Sequence, residues 1–185
     1  MKPLQSVAMG LVIVVLTAPI HGYDALPNPF GWLLVLAGVA ALPETLDLRG
    51  SLLTLAGLAG AVSVALWFPA VTDGLYDADA SLGWAANLPQ LGFTAVLCHA
   101  LAALATEAGD PRPARWLLVT RTFVVAVGLL PVLVFGAGLE SLEVPTYVLA
   151  GASALLLIWL LFSYAARPWA RSPIAESAAK PPRAS

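Results

Sequence analysis

Apolar runs near 20 residues long recur along this chain, and basic residues mark alternate ends of those runs. A helix rising about 1.5 Å per residue needs about 20 residues to cross about 30 Å of hydrocarbon. Lys2, Arg49, Arg112, Arg115, Arg121, Arg167, Arg171, Lys180 and Arg183 all fall on one side of a single membrane-threading scheme. The intervening loops carry Asp24, Asp73, Asp77, Asp79, Glu140 and Glu143 and no Lys or Arg. Charged residues make up 11% of the 185 positions, against about 25% in a soluble domain. So little charge cannot cover a fold of this size with polar surface. The sequence therefore predicts an all-α integral membrane protein.

The pattern predicts six transmembrane helices, over 4–21, 29–43, 50–70, 83–107, 114–136 and 145–166. Residues 1–166 form one transmembrane domain in this reading. The remainder, 167–185, is rich in Pro, Ala and Ser and has too few large apolar residues to fold, which predicts a disordered tail. Thr72 to Ser81 reads as an acidic loop, and Gly109-Asp110-Pro111-Arg112-Pro113 as a helix breaker. The first apolar run imitates a secretory signal, but no small-x-small cleavage site follows it, so it reads as a retained helix.

With the N-terminus inside, six spans place all nine basic residues on the cytoplasmic face. Five acids share that face (Glu44, Asp47, Glu107, Asp110 and Glu176), leaving it +4, while the outer loops sum to −6. The second helix is the weak link, because its 15 residues rise only about 22 Å. The alternative is five spans plus a re-entrant second helix, with the N-terminus outside. That arrangement moves only Lys2 to the wrong side.

Several functions are disfavoured by what the chain holds. A net charge of −2 offers no basic face to nucleic acid. The single cysteine, Cys98, cannot form an intrachain disulfide or a redox pair. No Gly-x-Ser-x-Gly, His-Glu-x-x-His or P-loop occurs, so no catalytic residue is nominated and an enzyme is disfavoured. His21 lies at the outer end of the first helix and His99 about 16 residues, roughly 22 Å, below the outer end of the fourth. They cannot share one iron, and no cofactor or metal is expected. The Asp73 to Asp79 segment does not follow a calcium-loop pattern.

Four polar residues inside the spans are the candidate site: Asn87, Gln90 and His99 on the fourth helix and Arg121 on the fifth. Polar groups at such depth usually face the bundle interior and are satisfied there. Arg121 is the one charge well inside a span. It either snorkels to the cytoplasmic face or forms an ion pair or anion site with Glu107 or Glu44. Pro89 and Pro131 would loosen the backbone bonding of the two helices.

The segment from Gly22 to Gly38 contains Asp24-Ala25-Leu26-Pro27-Asn28-Pro29-Phe30-Gly31-Trp32. It resembles an Asp-x-x-Pro-Asn/Asp-x-x-Gly-Trp/Tyr motif at the start of a short second helix in small, uncharacterised bacterial multi-pass membrane proteins. The stretch Leu104 to Asp110 before Arg112 is similar to a second feature of that group. The resemblance implies a multi-pass bundle in a bacterial plasma membrane, with no assigned activity. Read physically, Asp24 or Asn28 can cap the second helix. Pro27 and Pro29 fix an extended approach, and Gly31 and Gly38 share one face and permit close packing.

The partner that composition implies is the lipid bilayer. Small residues on the third helix, including Gly57 and Gly60, suit tight packing within the bundle or a seam with a second copy. The expected role is a structural, assembly or regulatory partner of other membrane components, with a small transporter or channel as the alternative. Transport would gain if Gln90, His99 and Arg121 lined one cavity. It would lose if they faced apart.

Overall fold

A computed structural model describes residues 2–16, 19–20, 23–24, 28–137 and 139–170. Among them are seven α-helices: α1 (Pro3–Val15), α2 (Asn28–Ala40), α3 (Arg49–Leu66), α4 (Pro69–Ala78), α5 (Ala80–Glu107), α6 (Pro111–Ala137) and α7 (Glu143–Tyr164). A two-residue antiparallel pair, β1 (Pro19–Ile20) with β2 (Tyr23–Asp24), joins α1 to α2. By length and composition, α3, α5, α6 and α7 can each cross a membrane, whereas α1 and α2 are shorter apolar helices of 13 residues.

Local chemistry sets the helix ends. Proline opens α1, α4 and α6, where its missing N–H has no intrahelical role. Asp79 caps α5 by accepting from the Ser81 N–H at 2.8 Å. At the other end of α5, Gly109 takes φ +71°. Its N–H then reaches the Thr106 carbonyl at 3.0 Å, and the Asp110 N–H reaches Ala105 at 2.9 Å. That paired closure is a Schellman motif. The α2–α3 turn has no such glycine, and Leu48 adopts φ 59° instead. Beside it, Arg49 donates from Nη2 to the Ala40 carbonyl at the end of α2.

α5 and α6 run antiparallel, Trp84 donating to the Gly128 carbonyl and His99 meeting Arg121 farther along, and α4 packs on α3 and α5. The packing order is α1, α2, α3, α5, α6, α7, and α7 returns to α1, so these six helices close a ring. Leu4, Val7 and Leu11 of α1 meet Trp32, Val35 and Val39 of α2 in a buried core. Leu52, Phe93, Leu97, Leu101, Leu157 and Leu161 complete it from α3, α5 and α7. The exterior is equally apolar: Leu129, Val144, Tyr147, Leu155 and Trp159 are each more than 60% exposed.

α1 and α2 approach most closely. A Cβ added to Gly38 would lie 2.8 Å from the Val7 nitrogen, and one added to Gly31 would lie 2.7 Å from the Gly10 carbonyl oxygen. Both are closer than real Cβ atoms come. The third-helix glycines divide: Gly60 packs against Trp32, while Gly57 has open space beside it.

Three expectations change. α1 ends at Val15 rather than at residue 21, because Pro19 cannot donate to a helix and biases its predecessor toward extended backbone. The acidic segment expected as a loop is mostly the helix α4, opened by Pro69. Residues 167–170 begin the stretch expected to be disordered, yet Pro168–Ala170 form a 3-10 turn. That turn is held because Arg167 pairs with Asp110 at 3.3 Å and Trp169 Nε1 donates to the same carboxylate. The rest of the tail, 171–185, lies outside the described residues, as do His21 and Pro27.

Candidate functional site

A cavity of about 290 Å³ opens where α2, α3, α4 and α5 meet. Its apolar wall includes Val14, Trp32, Ala59, Val62 and Leu66. Its polar lining is Asn28 from α2, Ser63 from α3, Thr72 and Asp73 from α4, and Asn87 and Gln90 from α5. Sequence reasoning nominated Asn28, Trp32, Asn87 and Gln90, and the fold brings all four together. It missed Ser63, Thr72 and Asp73. The signal for the last two was Pro69, which opens α4 and so turns both residues onto a helix.

Neighbouring backbone already holds much of this lining. Ser63 donates to the Gly60 carbonyl at 2.8 Å, and Thr72 to Leu66 at 2.8 Å. Asn87 Nδ2 donates to Gly83 at 2.9 Å. Asn28 differs: its Oδ1 is buried without a hydrogen-bond partner among the described residues. Asn28 is the first residue of α2, so the cap expected of it is not made by this oxygen. Asp24 stands in β2, and its backbone pairs with Pro19. Gly31 packs against Gly10 of α1 and does not line the cavity.

The cavity does not continue through the bundle. Trp32 packs edge-on against Phe93 with ring centroids 5.4 Å apart, one turn below Gln90. Beyond them lie the fully buried Leu52, Leu97 and Leu101. Ser63, Thr120 and Thr146 are the buried polar side chains among the described residues, and each bonds to a carbonyl of its own helix.

His99 and Arg121 lie elsewhere. Nine residues separate Gln90 from His99, which at about 100° each puts them on opposite faces of α5. His99 is exposed on the apolar exterior, and Arg121 of α6 meets it there, with Nη1 2.9 Å from His99 Nδ1. A guanidinium only donates, so His99 Nδ1 accepts and the ring carries its proton on Nε2. Arg121 was expected either to snorkel to the cytoplasmic face or to form an ion pair or anion site with Glu107 or Glu44; it bonds His99, and Arg167–Asp110 is the ion pair among the described residues. The neighbouring Cys98 is fully buried among apolar side chains.

At the start of α5, the Ser81 backbone and side chain hold the exposed Asp79 carboxyl below its ordinary range. No group of three or more metal-ligating side chains occurs among the described residues, so none is nominated to hold a metal. The described residues thus define an all-helical bundle with four membrane-length helices, a polar cavity at one end and a separate polar pair on its flank. Comparison with protein-family models, with curated proteins and with solved structures finds no match.

Proposed function

We propose that this chain is a bacterial plasma-membrane protein that crosses the bilayer six times, with both termini cytoplasmic. Its role in this reading is that of a structural, assembly or regulatory partner of another membrane component. The one-sided distribution of nine basic residues supports the orientation. The Asp24 to Trp32 resemblance supports the bacterial setting. α1 and α2 rise only about 20 Å each, which a locally thinned bilayer or the polar connection between them accommodates.

The His99–Arg121 pair is the observation that carries the role. His99 lies eight residues, about 12 Å, from the end of α5, and Arg121 ten residues, about 15 Å, from the start of α6. A neutral imidazole does not cancel the guanidinium charge, so the pair leaves a net positive charge on a lipid-facing flank. Insertion scales put an arginine at such depth at about 2.5–3.5 kcal/mol. A carboxylate from a neighbouring helix, or another acceptor-rich partner, would offset that cost. The transport alternative is weakened because Gln90 and the His99–Arg121 pair face apart and Trp32–Phe93 closes the cavity.

Cross-linking in native membranes tests this role. A photoreactive residue at the exposed Leu118, one turn from Arg121, should give one discrete adduct. The adduct should disappear with Arg121→Leu and be absent when the probe sits at the exposed Leu155 of α7. Equal labelling at both positions, or an adduct indifferent to Arg121, would reject the assignment.

A further inference from the structure

The hydrogen-bonding capacity of the cavity is unbalanced. The hydroxyl protons of Ser63 and Thr72 and one amide nitrogen, Asn87 Nδ2, are committed to backbone carbonyls. Among the described residues, the uncommitted groups facing the cavity are therefore mostly acceptors: Asn87 Oδ1, Gln90 Oε1 and the Asp73 carboxylate. The remaining side-chain amide donors are the nitrogens of Asn28 and Gln90.

Charge points the same way. Asp73 is the one ionisable residue lining the cavity among the described residues, and Asp77 and Asp79 follow it at the end of α4. Among the described residues no Lys, Arg or His lines the cavity, so an anion would meet the Asp73 charge and no counter-charge from them. The volume lies at the small end of the range for ligand pockets, about 300–1,000 Å³. Trp32 and Val62 supply apolar lining beside the polar groups.

We propose that this cavity binds a small primary amine in its ammonium form. Asp73 and the amide oxygens of Asn87 and Gln90 take the ammonium, and Trp32 and Val62 take a short apolar body. The assignment is independent of the partner role proposed above, because it uses the opposite face of α5.

The test uses the full chain in phosphatidylcholine nanodiscs and ligand-observed saturation-transfer NMR. n-Butylammonium, n-butanol and butyrate are the probes, and empty nanodiscs correct for partitioning. Butylammonium should bind saturably and at least tenfold more tightly than butanol, and butyrate should not bind. Asp73→Asn, a change at an exposed position, should erase the preference for the amine. Gln90→Leu should weaken it at least threefold, with circular dichroism confirming the fold, and Leu155→Ala should leave it unchanged. The proposal fails if butylammonium gives no saturable signal above empty discs. It also fails if butyrate binds equally well, or if Asp73→Asn leaves the selectivity intact.

Discussion

Gly10 of α1 and Gly31 of α2 meet backbone to backbone, and a Cβ on either would overlap the other's carbonyl oxygen. The contact lets two short helices pack over their full length, with Ser6 donating across them to the Leu34 carbonyl at 2.9 Å. Adding bulk there should force the pair apart. Gly31→Leu is expected to destabilise the bundle by about 2 kcal/mol or more, within the overpacking range. Gly57→Leu, facing open space, should change stability by less than about 0.5 kcal/mol. Thermal unfolding of the purified variants in detergent checks both. A loss of self-association in Gly57→Leu would instead assign that face to a second copy.

The His99–Arg121 pair should behave asymmetrically. His99→Leu leaves a guanidinium on an apolar flank without its acceptor, whereas Arg121→Leu removes the permanent charge. The single change at His99 should therefore cost more than the change at Arg121. Their coupling should be about 0.6–1.7 kcal/mol, as for other interhelical polar pairs in membranes. A double-mutant cycle on unfolding free energies measures it, and zero coupling would mean that the bond does not contribute.

Two residues with left-handed backbone make opposite predictions. Leu48→Gly should stabilise by about 1 kcal/mol, because a β-carbon is disfavoured at φ 59°. Gly109→Ala should destabilise by a similar amount, about 1 kcal/mol, by straining the closure of α5. Equilibrium unfolding of the pair provides the readout.

Asp79 links stability to pH. Its folded pKa is lowered from 3.8 by the Ser81 backbone and side chain. A depressed carboxyl stabilises the fold above its unfolded pKa, and that contribution is lost as pH falls through the lower folded value. Asp79→Asn keeps a capping oxygen but cannot titrate. It should match the parent at neutral pH and show a flatter acid limb, whereas Asp79→Ala should be weaker at neutral pH. Unfolding curves between about pH 2 and 7 distinguish them.

Helices were legible wherever apolar length alone decides the structure. The start of α3 at Arg49 and the end of α5 at Glu107 fall within a residue of the sequence reading. Proline was underweighted twice: Pro19 ends the first apolar run early, and Pro69 starts a helix in a segment whose acids suggested a loop. Within the candidate site, Asn87 and Gln90 were found because polar residues are rare in apolar runs. Their separation from Arg121 was not, because it depends on which face of α5 packs against α3 and which against α6. That choice is made by tertiary contacts such as Leu55 against Gly92 and Leu91 against Gly128. The His99 bond to Arg121 follows from it, since neither residue names the other by spacing.

Because α7 packs against α1, the ring joins two helices more than 120 residues apart along the chain. Local pairs such as α1–α2 and α5–α6 have their partners as soon as both helices leave the ribosome. Val7 and Leu11, by contrast, wait for Leu157 and Leu161 near the far end of the chain. Until then one flank of α1 stays unclosed, so a nascent chain stalled before α7 exposes that flank to any chaperone or protease that inspects incomplete bundles.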